Sequence, residues 1–245
     1  MPKYILFDTE TTGIEEEDKI IQLGMMVVHS KIEIEVYDEL CFSEKGIALE
    51  AMEVHNITPE KIASKPKFCQ LESAKKIFEL NKEENYLIAH NISFDLKMLK
   101  KEGFENHYTL IDTLRCAKHL LPQSPFHRLQ YLRYSLGLYQ KEEQEAKLLN
   151  ITVKAHDAIG DVLVMKLLLS KLIDLTQKKY PNENPIKKLA YLTKIPVLLT
   201  TFRFGKYKGS LIEEMVKIDP NYIKWIQKNM ELDEDMVFTL NHYLK

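Results

Sequence analysis

Short apolar runs and segments with helical periodicity alternate along the first 180 residues of this 245-residue chain. Apolar runs bounded by turn residues predict strands, and apolar positions spaced by three and four residues predict helices. The predicted strands cover residues 3–8, 20–29, 31–42, 85–90 and 109–112. The predicted helices cover residues 48–54, 68–80, 94–101, 114–120, 128–136 and 157–179. Hairpins followed by strands that alternate with helices indicate an α/β domain with a mixed sheet.

A polar segment bounded by Pro181 and Pro185 marks the clearest break between two parts of the chain. Beyond it, residues 202–209 predict a strand and a turn, and three further stretches, 210–218, 221–228 and 233–244, predict helices. Trp225 has apolar neighbours, so it is expected in a core. We therefore predict a first domain over residues 1–180, a linker over 181–198 and a small C-terminal α+β module over 199–245.

Bulk composition limits the class of protein. Hydrophobic residues make up 45% and charged residues 29% of the chain, which is typical of a globular protein. The net charge of −2 argues against tight binding to long nucleic-acid duplexes through phosphate contacts alone. Cys41, Cys69 and Cys116 show no CxxC spacing, which favours a reducing cytoplasm over a zinc site or a disulfide framework. The first apolar run ends at Asp8, so no signal peptide is expected.

Two carboxylates follow that first apolar run. Asp8 and Glu10 lie two positions apart, and alternate residues of a strand point to the same face, so both side chains project side by side. Carboxylates about 5 Å apart repel each other, and a cation between them converts the repulsion into attraction. Hard oxygen ligands favour Mg²⁺ or Mn²⁺. A solvated strand end before a Thr-Thr-Gly turn explains the same two residues.

Two later segments supply further acids. Strand 85–90 leads into a helix with Asp95 in its first turn, where the helix dipole favours an anion. As a single residue, Asp95 is more typical of ordinary helix capping. His156 precedes the longest predicted helix, and Asp161 lies in its early turns. Five positions correspond to about 140° of rotation, so the two residues do not share a helical face, and His156 is expected in the preceding loop.

Together these segments resemble the three motifs of the DnaQ-like 3′→5′ exonucleases. The matches are Asp8-Thr9-Glu10, then residues 90–95, then residues 156–161, in the order of the family. A histidine five residues before the last Asp, rather than a tyrosine four residues before it, resembles the histidine subgroup. The similarity extends over nearly the whole chain, because residues 199–209, 219–226 and 240–244 resemble the C-terminal extension of the exodeoxyribonuclease X-like members.

The resemblance implies a ribonuclease-H-like fold with a mixed five-stranded sheet, flanked by helices, in which the first three strands are antiparallel. It also implies two Mg²⁺ ions as cofactors, with Mn²⁺ as a substitute. Asp8 is expected to bridge both ions, Glu10 and Asp161 to hold the ion that carries the attacking water, and Asp95 to hold the second ion. His156 is the expected general base, since histidine accepts and releases a proton near neutral pH.

Substrate contacts are expected near the turn after the first strand. The candidates for holding the terminal sugar and base are the backbone groups of Thr11, Thr12 and Gly13 and the side chain of Ile14. Three more candidates, for stacking or wedging beside the last bases, are His55, Ile57 and Phe94. Core packing explains Ile57 and Phe94 equally well.

The implied activity is 3′→5′ hydrolysis of DNA to nucleoside 5′-monophosphates, in repair or recombination. The expected partner is a DNA 3′ end, single-stranded or in an overhang, and many relatives are homodimers. The site itself does not separate DNA from RNA, because that choice depends on contacts to the 2′-hydroxyl, so an exoribonuclease is the alternative. A non-catalytic nucleic-acid-binding adaptor is a further alternative, which the complete set of five residues disfavours.

The C-terminal module has one clear polar feature. Arg203, Lys206 and Lys208 cluster with Tyr207 around a Gly-flanked turn, and such a turn can bring cations and backbone N–H groups to phosphates. Solvated lysines and turn-shaping glycines explain the same pattern.

Overall fold

A five-stranded mixed sheet lies at the centre of the structure, a computed structural model that describes residues 2–30, 32–151 and 157–244. Its strands are β1 (Tyr4–Thr11), β2 (Ile20–Val28), β3 (Ile34–Leu40), β4 (Tyr86–Ala89) and β5 (Thr109–Asp112). They lie in the order β3-β2-β1-β4-β5. The first three strands pair antiparallel, whereas β4 is parallel to β1 and β5 is parallel to β4. This topology confirms the mixed sheet predicted from the sequence.

Helices cover both faces of this sheet. In chain order they are α1 (Leu49–His55), α2 (Pro59–Ile62), α3 (Glu72–Glu79), α4 (Ile92–Lys101), α5 (Thr113–Leu120), α6 (Leu129–Ser135), α7 (Tyr139–Leu149), α8 (Ala158–Lys179) and α9 (Pro185–Lys194). The single helix predicted over 68–80 is divided, because Leu71 is extended between a 3-10 turn at Phe68–Gln70 and α3. Helix α7 was not predicted, since its charged sequence has no marked apolar face.

The side chains of β1 alternate between two hydrophobic cores. Leu6 packs in the core that contains Val162 of α8. Ile5 and Phe7 pack in the opposite core, which contains Leu99 of α4. This alternation follows from the two-residue period of a strand. The strand runs on to Thr11, three residues past its predicted end, so the acidic pair lies within the strand rather than after it.

Gly24 allows α8 to begin directly against β2. A Cβ atom at this position would lie 2.5 Å from the carbonyl carbon of Ala158 and 2.6 Å from the backbone nitrogen of Ile159. Gly24 pairs with Asp8 across the two central strands. The absence of a side chain therefore sets the start of α8 close to Asp8.

Residues 181–198 contain a packed helix where a linker was predicted. Leu189, Ala190 and Leu192 of α9 are buried in the same core as α8. The thiol of Cys116 in α5 donates a hydrogen bond to the carbonyl oxygen of Leu189 at 3.3 Å. The apolar face of α9 therefore completes the core around α8.

The C-terminal module is helical. Its helices are α10 (Ile212–Ile218), α11 (Pro220–Asn229) and α12 (Glu234–Tyr243), packed around the buried Phe202. An isolated bridge between Thr201 and Leu211 stands where the sequence predicted a strand. Trp225 is 54% exposed and stacks on Tyr222, contrary to the expectation that it is a core residue.

A largely buried ionic contact joins the module to the first domain. Asp235 of α12 accepts hydrogen bonds from Arg115 of α5 at 3.2 Å and from the backbone N–H of Val197 at 2.8 Å. Arg115 also donates to the carbonyl oxygen of Ile195 at 2.6 Å. Over the described ranges, no helix is both long enough and apolar enough to cross a membrane.

Candidate active site

Asp8 and Glu10 lie on one face of the central strand. Asp8 is opposite Gly24 and Glu10 is opposite Gln22 in the antiparallel pairing of β1 with β2. Both acids are partly buried, and the register shifts after Glu10, so the strand turns away there. The two carboxylates therefore point from the middle of the sheet toward the start of α8.

Asp95 is brought to the same strand by the connection from β4 to α4. Asn91 turns the chain with a left-handed backbone (φ 74°), and its N–H donates to Asp112 Oδ1 at 3.0 Å. Asp95 is 3% exposed, and the hydroxyl of Thr9 donates to its Oδ1 at 2.7 Å. Because β1 and β4 are parallel, their carboxyl ends meet at one edge, which is where the three acids gather.

Asp161 lies in the first turn of α8 and is held by α6. The side-chain amide of Gln130 donates to Asp161 Oδ1 at 2.6 Å. Asp157, which precedes α8, accepts a hydrogen bond from Gln22 at 2.9 Å. His156, the expected general base, lies outside the described residues.

The four carboxylates share one electrostatic environment. Burial raises the pKa of Asp8 well above its usual range, and the charges of Asp95, Glu10 and Asp161 raise it further. Burial, together with Asp161, Asp95 and Asp157, raises the pKa of Glu10 to about 8. Burial also raises the pKa of Asp95 to about 7, against the hydrogen bond from Thr9, which lowers it. Clustered anions of this kind need a proton or a cation nearby.

The donor set fits divalent cations. Four carboxylates from three elements offer only hard oxygen atoms, which Mg²⁺ and Mn²⁺ prefer. Among residues 2–30, 32–151 and 157–244, no three acidic, histidine or cysteine side chains already converge as a ready-made ligand cluster. Asp95 accepts a hydrogen bond from Thr9, and Asp161 accepts one from Gln130.

The turn after Glu10 is locked by a buried acid that the sequence reasoning missed. Asp18 accepts hydrogen bonds from the Thr12 hydroxyl at 2.6 Å and from the Glu15 N–H at 2.7 Å. A Cβ on Gly13 would lie 2.5 Å from Asp18 Oδ2, so only glycine fits beside this carboxylate. Burial by itself would raise the pKa of Asp18, but these hydrogen bonds, together with the charges of Lys45 and Lys101, lower the pKa. Within this fixed turn, Ile14 projects its side chain outward and is 76% exposed.

The remaining substrate candidates are His55 and Ile57, which are buried, and Phe94, which is partly buried. His55 is buried, its Nδ1 accepts the N–H of Ile57 at 2.9 Å, and its Nε2–H donates to the Thr11 carbonyl at 3.2 Å. Ile57 is buried in a small cluster with Ile21, and Phe94 is partly buried against the core on the α4 side. His55 and Ile57 are thus placed to support the turn from beneath.

Gln130, Gln22, Asp18 and Gly24 are the residues near the carboxylates that the sequence reasoning did not identify. The sequence carries no sign of Gln130, Gln22 and Asp18, because each acts through a side-chain contact that only the folded chain creates. Only the Gly24 position had a local signal, a glycine inside an otherwise apolar strand, which is typical of close backbone approach.

Comparison with known proteins assigns this arrangement to a class. A family model described as Exonuclease matches residues 5–169, and one described as Exodeoxyribonuclease X-like C-terminal matches residues 202–231. The fold and these matches define a nuclease. The chain belongs to the exonuclease family, and it carries the exodeoxyribonuclease X-like C-terminal module.

Similar proteins cover most of the chain. Exodeoxyribonuclease 10 of Escherichia coli (strain K12) is 26% identical over 247 residues, 98% of each protein. DNA polymerase III subunit epsilon of Treponema pallidum (strain Nichols) is 31% identical over 172 residues, which cover 63% of this chain and 78% of that protein.

Two solved structures share the fold. Exonuclease X in complex with 5′ overhanging duplex DNA aligns with a TM-score of 0.55 at 19% identity, over 78% of this chain and 99% of the other. E. coli exonuclease I in complex with a dT13 oligonucleotide aligns with a TM-score of 0.53 at 19% identity, over 73% of this chain and 42% of the other. At these identities the likeness concerns the fold alone.

Proposed function

We propose that this nuclease is a Mg²⁺-dependent exodeoxyribonuclease that removes nucleoside 5′-monophosphates from DNA 3′ ends. The observation that carries the proposal is the group of mutually repelling carboxylates, Asp8, Glu10, Asp95 and Asp161, in a chain similar over 98% of its length to an exodeoxyribonuclease. One structural neighbour is in complex with 5′ overhanging duplex DNA and another with a dT13 oligonucleotide, which supports the 3′ ends of single-stranded or overhang-bearing DNA as substrate.

The four acids would hold two divalent cations. Asp8 lies on the central strand, and the charges of Asp95, Glu10 and Asp161 all act on it, so it is suited to be the shared ligand. Glu10 and Asp161 would complete one site, and Asp95 would complete the other. Bound cations would lower the pKa of a coordinated water and stabilise the negative charge that develops on the phosphate.

The chain's own residues handle orientation and the proton. Hydrolysis forms a bond from the water oxygen to phosphorus while the bond to the 3′ oxygen of the preceding nucleotide breaks. His156 would accept the proton from the water, since an imidazole suits this transfer near neutral pH. The turn of Thr11, Thr12, Gly13 and Ile14, with Phe94, would hold the terminal nucleotide, while buried His55 and Ile57 hold that turn.

The proposal predicts a specific product from a labelled strand. Purified protein with Mg²⁺ or Mn²⁺ should release 5′-monophosphates first from the 3′ terminus of single-stranded DNA, and Asp161→Asn should release none. A matched RNA strand should be degraded more slowly. Release from the 5′ end, or activity in EDTA, would contradict the proposal, and faster degradation of RNA would replace DNA by RNA as substrate.

Three further features of this proposal need their own measurements. Cys41, Cys69 and Cys116 are free thiols, which supports a reducing cytoplasm as its compartment. A role in DNA repair or recombination would be tested by the sensitivity of a deletion strain to DNA damage. A homodimer stays a prediction that the mass in solution would decide.

A further inference from the structure

An aromatic side chain and a guanidinium group form an exposed pair just before α6, the helix whose Gln130 contacts Asp161. Phe126 is 51% exposed, and the guanidinium carbon of Arg128 lies 5.2 Å from its ring centroid. The ring of Tyr131 packs against Phe126 in a T-shaped arrangement, with centroids 5.2 Å apart. Aromatic rings and guanidinium planes are the side chains on which unpaired bases stack, and the guanidinium also offers positive charge to phosphates.

The loop that carries this pair, residues 121–128, is held in one shape by its own hydrogen bonds. The hydroxyl of Ser124 donates to the carbonyl oxygen of Phe126 at 2.7 Å. The buried ring of His127 donates from Nε2 to the carbonyl oxygen of Leu121 at 2.9 Å. A rigid loop presents Phe126 without the entropy cost of ordering it on binding.

This loop is connected to two parts of the carboxylate site. The ring of His90 donates from Nε2 to the carbonyl oxygen of His127 at 2.8 Å, and His90 directly precedes the turn into α4, which carries Asp95. At the other end, Arg128 is followed by α6, in which Gln130 contacts Asp161. The exposed pair is thus positioned by the same elements that position two of the four acids.

The C-terminal module adds a second arginine to this surface. Thr200 lies 3.5 Å from the carbonyl oxygen of Pro122, so the start of the module contacts the loop. Arg203 is exposed. Burial lowers the pKa of His127, and the charge of Arg203 lowers it further, so Arg203 lies within electrostatic reach of the loop. Lys206 differs, because it pairs with Asp219 at 3.0 Å and lies over the Tyr207 ring. Of these two cations, Arg203 is the one available to this surface.

We propose that Phe126, Arg128 and Arg203 bind the single strand of DNA that leads away from the 3′ terminus. A base stacks on the Phe126–Arg128 pair, and the two arginines face its phosphates from the two domains. The inference rests on the proposed nuclease function and adds to it a binding surface outside the carboxylate site. It also gives the C-terminal module a role, since the module supplies one of the two cations.

Binding in EDTA tests this surface without cleavage. Fluorescence anisotropy would compare oligothymidine strands of about three and about twelve nucleotides. Relative to the wild-type protein, Phe126→Ala should bind the longer strand about tenfold more weakly and the shorter strand equally well. Arg128→Ala and Arg203→Ala should each weaken binding and reduce the slope of log affinity against log salt by about 0.7, the value for one phosphate contact on a single strand. Phe126→Tyr should restore binding, since it keeps the stacking ring.

Matched controls remove an exposed group of the same kind elsewhere. Lys217→Ala removes a surface cation of α10, and Phe238→Ala removes a half-exposed ring of α12. If the three surface variants bind the longer strand as tightly as these controls, the inference is wrong. A loss that is equal for both strand lengths would also overturn it, because the surface would then act at the terminus. Failure of the proposed function looks different: the wild-type protein would release no nucleotides from DNA with Mg²⁺ or Mn²⁺.

Discussion

Gln130 donates a hydrogen bond from its side-chain amide to Oδ1 of Asp161 over 2.6 Å. Behind it, Arg133 donates to Gln130 Oε1 at 3.1 Å and forms an ion pair with the buried Glu142 of α7. The carboxylate of Asp161 is therefore oriented by a chain of contacts that reaches into α7. Groups that hydrogen-bond to a metal ligand fix its orientation, and their loss lowers metal affinity or activity.

Gln130→Leu should lower kcat or the affinity for Mn²⁺ by about 10–100-fold, because Asp161 loses the donor that orients it. Steady-state rates over a Mn²⁺ titration would separate the two effects. Gln140→Leu, on the exposed surface of α7, is the control. Wild-type kcat and wild-type Mn²⁺ dependence in Gln130→Leu would show that the contact does not serve the site.

Asp8→Ala and Asp161→Ala should abolish hydrolysis while keeping the fold. Each removes one anion from a cluster in which burial and neighbouring carboxylates raise the pKa of Glu10 to about 8, so the melting temperature in EDTA should hold or rise. Activity in Mg²⁺ and melting in EDTA are the two measurements. Near-normal activity in either variant would remove these residues from the metal site.

The stability of the metal-free protein should fall as the pH rises from about 6 to 8. Glu10 and Asp95 have pKa values of about 8 and 7 in the folded protein, above their values in the unfolded chain. The folded state then binds more protons than the unfolded state in this window, so raising the pH removes stability. Asp8→Ala should flatten the dependence of melting temperature on pH. A melting temperature that rises over this window in the wild-type protein would contradict the assigned electrostatics.

His156→Ala should lower turnover by about 10²–10⁴-fold, the usual contribution of a positioned general base. Affinity for DNA in Ca²⁺, measured without cleavage, should change little. Weak binding combined with preserved turnover would instead make His156 a substrate ligand.

Gly24→Ala should destabilise the protein and impair catalysis together. The added methyl group would lie 2.5 Å from the backbone of Ala158, so the start of α8 has to move away from β2, and Asp161 moves with it. We expect a loss of about 1–3 kcal/mol, typical of overpacking, measured by urea unfolding. Gly46→Ala, where a Cβ would meet nothing within 4 Å, is the matched control. Equal stability of the two variants would show that α8 does not depend on this close approach.

Two truncations should behave differently. Ending the chain after Ile195 keeps α9, so the first domain should fold and still cleave short single strands with Mg²⁺. Ending it after Tyr180 removes Leu189 and Leu192 from the core, so cooperative unfolding should be lost or shifted to much lower temperature. Circular dichroism melting compares the two. A stable domain ending at Tyr180 would restore the predicted linker.

The sequence by itself determined the local features of this protein. Strand periodicity placed Asp8 and Glu10 on one face, and the alternation of strands and helices predicted the mixed sheet that the structure has. Three short motifs and the C-terminal resemblance identified the exonuclease family. These features were predictable because backbone periodicity and motif spacing are properties of neighbouring residues.

Only the tertiary structure decided which distant residues meet. Gln130 reaches Asp161, Asp18 fits against Gly13, and α9 packs into the core around α8. The structure also separated two cations that look alike in the sequence, since Lys206 is paired with Asp219 while the charge of Arg203 acts on His127 of the loop at residues 121–128. Such contacts depend on how helices pack against the sheet, and packing brings together residues whose separation along the chain gives no sign of their contact.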